Sequence, residues 1–445
     1  MDRQKTIAGF SKLTKIGKIK WLVENFFKDP EIVMQELKSY WLTDVHQQEL
    51  LDGISENTIS NYPLPLGIVP NFVLNGKTYA VPMVIEESSV VAAASSAAKY
   101  WMSRGGIKAE VIDTIKVGHV HFYWGGDPNR MNSIFLLLKP ILIAEANPIM
   151  RGMIDRGGGL KSLAVKSFVD QDPGLYQLFA EFDTCDSMGA NFINTVLEQF
   201  SKTLQDFFRT SDSISAEERE LEVIMAILSN YTPDCLVKVW VECPVQDLTD
   251  IKDMSATTFA ERFYHAIRIA HADLYRATTH NKGIFNGIDA VALATGNDFR
   301  SIEACGHAYA AKDGRYKSLS SCSLENDFFK FVLQVPLAVG TVGGLTKVHP
   351  IAKRSLELME NPNSQELMMI IAGMGLIQNF AAVRSLVTTG IQQGHMKMHL
   401  NNILHQLNAT SDERTAAIAH FQNKTVSMNG IKVFLDEFHQ EKIKI

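Results

Sequence analysis

Cysteine is scarce in this chain and never paired. Five thiols (Cys185, Cys235, Cys243, Cys305 and Cys322) are scattered through 445 residues with no CxxC pair, which excludes a disulfide framework and points to a reducing compartment. None has local support as a nucleophile, and free cysteine ordinarily packs as a small hydrophobe. No uninterrupted apolar run reaches the roughly 18 residues a membrane span needs. The start, "MDRQKTIAGFSKLTKIGKIKWL", alternates charge with short apolar pieces and does not read as a secretory signal. A soluble, cytoplasmic protein is therefore expected. A basic surplus is also missing: 43 Lys and Arg against 49 Asp and Glu give a net charge of -6, which argues against a general nucleic-acid binder. The patterns GxGxxG, GxxxxGK[ST] and HExxH are absent, so neither a Rossmann site nor a P-loop is supported. His395 and His399 lie four apart on one helical face but lack a third ligand, so no metal is expected.

The length suffices for two or three domains, and the elements fall into recognisable runs. "KWLVENFF" and "EIVMQELKSYW" carry helical spacing around Asp29-Pro30. "NYPLPLGIVPNFVLNGKTYAVPMVIEE" is extended, with Asn75-Gly76 as a hairpin turn. Ser88-Ser89 can then cap the small-residue helix "VVAAASSAAKYWMS". From "VGHVHFYW" to "LEVIMAIL" the order strand-helix-strand-strand-helix-strand predicts a compact α+β module inserted into a larger domain. Helices are expected over roughly 255–279, 282–295 and 299–312, then 351–360 and 364–392, with a small helical unit after Gly394.

Four motifs carry chemistry. In "RATTHNKGIFNGIDAVALATGND" a lone cation, Lys282, sits between amides and glycines. Gly283 and Gly287 allow close approach, and Asn281 and Asn286 offer donors. Such a lysine either lies on the surface or stabilises a developing oxyanion, and an adjacent acid, Asp298, would keep it charged. In "VPMVIEESSVVAAAS" two glutamates end a strand. One reading is a general acid, the other a pair of charges beside a helix N-terminus. In "GIQQGHMKMH" His395 stands behind a glycine and could act as an acid for a leaving group. In "CDSMGANFINT" a glycine at a helix start offers backbone donors to a phosphate, and "GTVGGLTK", with Lys347, is a second glycine run of the same sort. As bare patterns both glycine runs are also ordinary turns.

Together these motifs, with "GFSKLT", "ENTIS", "ILSN" and "GLIQN", resemble the hydroxymethylglutaryl-coenzyme A reductases, the soluble bacterial class II form in particular, over almost the whole chain. The resemblance implies an α+β fold: a large, mostly helical substrate-binding domain (1–112 and 224–391), an inserted ferredoxin-like cofactor domain (113–223) that is not a Rossmann fold, and a C-terminal helical flap (392–445). It implies reduction of a thioester to an alcohol by two hydride transfers. Lys282 would polarise the carbonyl, Glu87 would be the proton donor, and Asp298 would pair with Lys282. Asn230 would orient that lysine, and His395 would protonate the coenzyme A thiolate. Arg276 and Ser89 would bind the substrate carboxylate, with Asn286 and Gln378 in the same pocket. Asp186, Met188, Gly189, Ala190 and Asn191 would meet the dinucleotide. The family's active site forms between two subunits, so a homodimer is implied, and class II relatives assemble further into trimers of dimers.

Three positions depart from the family pattern. Ser60 in "ENTIS" stands where glycine is usual, and Ser187 where alanine is common. In "NPIMRGMIDRGGG" Met150 is expected where an NADH-specific relative has a ribose-binding aspartate, with Arg151 beside it. Losing that acid removes repulsion toward a 2′-phosphate, so NADPH is favoured over NADH, and biosynthetic reduction over mevalonate breakdown. The same enzyme run oxidatively, and a non-catalytic acyl-coenzyme A-binding regulator, remain the alternatives.

Overall fold

The fold was described from a computed structural model, covering residues 5–249, 254–388 and 400–443 apart from 402, 422–423 and 425. The chain opens with three short helices, α1 (Lys15–Phe26), α2 (Pro30–Ser39) and α3 (Val45–Asp52). Lys15 ties α1 to α3 through Asp52 at 2.7 Å and covers the Trp41 ring. Ser60 donates to the Leu37 carbonyl at 2.6 Å, so the serine of the "ENTIS" loop anchors it on α2. Strands β1 (Leu66–Leu74) and β2 (Lys77–Val84) form a hairpin. Asn75 and Gly76 both take positive φ, 48° and 83°, which is the two-residue turn this pair favours.

After α4 (Val90–Met102) come the edge strand β3 (Lys108–Val111) and the inserted module: β4 (Lys116–Trp124), α5 (Met131–Ile154), β5 (Gly159–Ser167), β6 (Leu175–Asp183), α6 (Ala190–Thr210) and β7 (Leu221–Leu228). Its sheet is antiparallel in the order β5-β6-β4-β7, the ferredoxin-like arrangement. The even positions of β4 turn toward the helices; Gly118 is one of them, and a Cβ there would meet Ile193 and Leu197 at 2.7 Å. Val120, Phe122, Leu142, Phe182 and Phe200 close this module's own core.

The chain then returns to the larger core through β8 (Leu236–Pro244), α7 (Ala256–Ala272), α8 (Leu274–Ala294), α9 (Phe299–Ala310), β9 (Ser320–Glu325), β10 (Phe328–Pro336), α10 (Gly344–Val348), α11 (Pro350–Leu358) and α12 (Ser364–Val387). A second antiparallel sheet runs β3-β8-β10-β9. Against it an aromatic cluster, Trp101, Phe263, Phe329 and Phe380, packs with ring centroids 5.1–6.1 Å apart, Trp101–Phe380 at 5.1 Å and Phe263–Phe329 at 5.3 Å, offset and edge-on as aromatic quadrupoles prefer. A C-terminal unit containing α13 (Ser411–His420) and α14 (Met428–Ile443) has a small core of its own around Leu404, Ala417 and Ile431.

By length and composition alone two helices could cross a membrane, although neither is free of polar residues. α12 is apolar because it is the core of the large domain, with 78% of its apolar window buried. The segment containing α5 buries one face on α6 and β5 and leaves Leu136, Leu137 and Ile141 outside.

The expected helix break near His280-Asn281 is not there. Asp273 ends α7 and also caps α8, accepting from Tyr275 N–H, so α8 runs unbroken through Lys282. The polar residues beside the lysine are internal fastenings. Asn281 is fully buried, donating to the Lys317 carbonyl and accepting from Leu319 N–H. The His280 ring lies 2.6 Å from the Ser320 hydroxyl; burial, with Arg276 nearby, lowers its pKa to about 3 and keeps it neutral. Gly287 lets α12 approach α8, since a Cβ there would stand 2.5 Å from the Met374 carbonyl and 2.9 Å from Gln378 Cβ. Gly287→Ala is expected to cost about 1–3 kcal/mol, read as a lowered urea midpoint; an unchanged midpoint would show that the two helices part without penalty.

Candidate active site

Six of the sequence-derived residues converge on one pocket of about 280 Å³, lined by Glu87, Ser89, Arg276, Lys282, Asn286 and Gln378 among others. Arg276, Thr279, Lys282, Gly283 and Asn286 share one face of α8 because of its 3.6-residue period. Glu87 comes from the loop between β2 and α4, and Gln378 from α12. The two glutamates divide: Glu86 is exposed, while Glu87 turns inward. The Lys282 ammonium donates to Glu87 Oε2, and Asn286 Nδ2 donates to the same oxygen at 3.4 Å.

The pocket is notable for its polar groups without partners. Ser89 was expected as a helix cap, but it does not cap with its side chain; it takes φ 75° in the left-handed region, and its Oγ is buried without a hydrogen-bond partner. Gln378 Oε1 is likewise buried and unpaired. Arg276 is drawn below its ordinary pKa by burial, with Asp273 opposing weakly. A non-glycine residue held left-handed costs on the order of 1–3 kcal/mol and is usually found where function requires it. The orphaned Ser89 hydroxyl can donate to an incoming carboxylate, whereas the orphaned Gln378 oxygen accepts from a donor such as a hydroxyl on the same ligand.

Asp298 and Asn230 are not brought to this pocket within one chain. The twelve helical steps from Lys282 to Ala294 span about 18 Å at 1.5 Å per residue, and Asp298 lies beyond them. There it caps α9 by accepting from Ser301 N–H at 3.3 Å, and Ser301 Oγ donates to Asn230 Oδ1 at 3.1 Å. The expected pairing of Asp298 with Lys282, and of Asn230 with that lysine, therefore cannot form inside a single chain. His395 lies outside the described residues.

Around Asp298 the two glycine motifs meet. Gly189 takes φ 91° at the start of α6, where a Cβ would strike Thr184 at 2.4 Å. Gly340 lies so close to the Met188 amide that a Cβ would be 2.4 Å from it, and Ser187 pairs with Val342 in a parallel bridge. Ser187, the departure from alanine, adds an acceptor for Gly189 N–H at 3.1 Å. Asp186 joins the two domains: its carboxylate accepts from Ser364 N–H at 2.8 Å and its carbonyl from Thr341 N–H at 2.9 Å. Asn191 and Ala190 open α6, whose N–H groups suit a phosphate. At both glycines the space a side chain would take is filled by this chain's own atoms, so they let the two loops pack together beside the start of α6.

Met150 does not belong to that surface. It is 1% exposed inside the module's core, because the period of α5 turns it toward the sheet while Arg151 points to solvent. Arg156 lies nearer the loop, its carbonyl accepting from Cys185 Sγ at 3.3 Å. Lys116 was missed as well. It is 4% exposed, donates to Thr184 Oγ1 at 2.8 Å, and lines a cleft with Met188, Ala190, Asn230 and Ser301. Its signal in the sequence is a lysine at the head of a strand whose alternate residues face the core.

Between the two ends of α8 sits Asp289. Burial, then Glu303 beside it on α9, raises its pKa to about 9, and its Oδ1 is buried without a partner. The folded chain holds this proton up to about pH 9, whereas an unfolded chain releases it near pH 4. The associated stability is present below about pH 4 and lost as the pH climbs through 9. Asp289→Asn is expected to raise the melting temperature more at pH 8 than at pH 5; a flat or shrinking advantage would contradict this.

A family model described as hydroxymethylglutaryl-coenzyme A reductase matches residues 22–400. A 3-hydroxy-3-methylglutaryl-coenzyme A reductase of Archaeoglobus fulgidus is 36% identical over 92% of this chain and 88% of its own. A probable reductase of the same name from Borreliella burgdorferi is 31% identical over 90% and 89%. The solved 3-hydroxy-3-methylglutaryl-coenzyme A reductase of Streptococcus pneumoniae superposes with a TM-score of 0.71 at 34% identity, covering 97% of this chain and all of that one. A structure of the class II enzyme from the same organism, bound to NADPH in open conformations, gives 0.70 at 35%, over 86% and 100%.

Proposed function

The chain belongs to the hydroxymethylglutaryl-coenzyme A reductase family, class II, and from that premise we propose how its own residues carry out the family's reduction of hydroxymethylglutaryl-coenzyme A to mevalonate and coenzyme A. NADPH, when bound, supplies the two hydrides; two protons complete the balance.

In this reading Arg276 and Ser89 take the terminal carboxylate of the substrate, with Gln378 completing the pocket. The observation that carries it is the convergence of the buried, unpartnered Ser89 Oγ and Gln378 Oε1 with Arg276 around the Lys282–Glu87 pair. Lys282 stabilises negative charge on the carbonyl oxygen as hydride reaches carbon. Glu87, already in contact with that ammonium, is placed to pass a proton to the same oxygen. His395 protonates the departing thiolate, a role that rests on the family resemblance.

The dinucleotide lies along Asp186–Asn191, at the start of α6. We read the chain as an NADPH enzyme working in the biosynthetic direction. A relative binds NADPH, and Arg151 and Arg156 stand exposed near this loop, where a guanidinium suits a 2′-phosphate. Asp298 and Asn230 reach Lys282 only from a second copy, so the working unit is a homodimer with shared sites. Tyr62, Leu274 and Tyr275 support this, being 91%, 56% and 86% exposed, apolar surface that a second copy would cover. The protein works as a soluble cytoplasmic enzyme.

Purified protein is expected to oxidise NADPH only when hydroxymethylglutaryl-coenzyme A is present, and to consume NADH more slowly at equal concentration. Substrate binding by calorimetry with no turnover on either cofactor would favour a non-catalytic acyl-coenzyme A-binding regulator.

A further inference from the structure

The sheet of the inserted module has α5 and α6 on one face only. On the other face His119 and His121, two residues apart on β4, stand side by side, since alternate residues of a strand share a face. Their ring centroids are 4.7 Å apart and the planes meet at 73°. Neither ring has a place in the reductive chemistry. The Nδ1 atoms of both are buried without a hydrogen-bond partner. A buried polar atom left unpaired is costly, so two adjacent ones call for an explanation. Burial disfavours the charged form of both rings, with His121 and Lys166 adding to the effect at His119.

The neighbours define what the two rings suit. Gln177, opposite His121 on β6, holds the Nε2 of that ring at 2.9 Å. A ligating histidine is normally oriented through its other ring nitrogen in this way, and an amide can present oxygen as readily as nitrogen. Across on β7, Met225 lies directly opposite His121 and is half exposed, so its thioether lies within reach of the same space. Among the described residues no group of three or more His, Cys, Asp or Glu could hold a metal, so a hard or high-coordination ion is not provided for. Lys166, over the Phe179 ring in the neighbouring row, disfavours a divalent charge more than a monovalent one. Two imidazoles and a thioether suit a soft, low-coordinate ion.

We propose that His119 and His121, with Met225 as third donor and Gln177 orienting His121, form a binding site for copper(I) on the open face of the inserted sheet. The site is separate from the reductive centre.

Copper(I), held by a chromogenic competitor under anaerobic reducing conditions, is titrated into the intact protein. One equivalent per chain is expected to leave the competitor. His119→Asn with His121→Asn is expected to weaken that uptake by about a hundredfold, and Gln177→Leu by about tenfold, the range usual when ligands or their orienting partners are lost. Met225→Leu is expected to weaken copper(I) uptake while leaving any weak Zn²⁺ binding unaltered. NADPH turnover by each variant reports that it has folded. Two outcomes overturn the proposal: the competitor keeps its copper, or the double histidine variant takes up copper as the parent does, which would place the metal on free thiols.

Discussion

Lys282→Ala is expected to lower kcat/KM for hydroxymethylglutaryl-coenzyme A by at least about 10²–10³, a loss of roughly 3–4 kcal/mol, as when a single preorganised oxyanion donor is removed. The same change should hardly touch the fold. Its ion pair with Glu87 has side chains 57% and 37% exposed, and solvent-screened pairs of this kind contribute about 0–1 kcal/mol. α8 is held instead by Asn281, His280 and the Gly287 contact with α12. Activity and melting temperature should therefore separate. Steady-state kinetics with a melting curve on one preparation tests this: near-parental turnover would make Lys282 an ordinary surface charge. Turnover and melting temperature falling together would make it structural.

Mixing two inactive variants should restore activity. Lys282→Ala removes the cation from the middle of α8, and Asp298→Asn removes the acid beyond its C-terminal end, about 18 Å or more further along. If each working centre takes Lys282 from one copy and Asp298 from another, either variant alone has no complete centre. A two-fold dimer holding one chain of each has one intact centre and one doubly impaired centre. Random exchange of subunits then yields about a quarter of the parental rate. The measurement is NADPH oxidation after co-expression, with mass spectrometry reporting the mixed species. Mixed dimers as inactive as their parents would show that Asp298 serves its own chain or none.

This geometry marks where the sequence was readable. Strand alternation disclosed β4, and Asn75-Gly76 disclosed the first hairpin, because both signals are local. The motifs pointed to Glu87, Lys282 and Asp298, but no spacing rule says whether two motifs sixteen residues apart face each other. His280-Asn281, just before Lys282, reads as a helix break. The real boundary is one residue, Asp273, capping α8 while closing α7, and the polar pair is spent inside the fold on β9 and its approach. β9 itself, "SSCSLE", has too little apolar character to announce a strand; β10 and the buried Asn281 impose it. Ser89 read as a cap because serine before an apolar helix usually is one. Here the left-handed backbone aims the hydroxyl elsewhere. Met150 failed because helix phase, rather than nearness to the glycines, decides which side chains of α5 reach the surface.

The inserted module looks portable, a self-contained core spliced between β3 and β8. Its nucleotide loop is nonetheless bolted to the host by Asp186 on Ser364 and Thr341, by Gly340 against Met188, and by the Ser187–Val342 bridge. Anyone transplanting residues 116–228 from a relative to change coenzyme preference would have to carry the 340–342 turn and the start of α12 along, or the graft would arrive without its hinge pins.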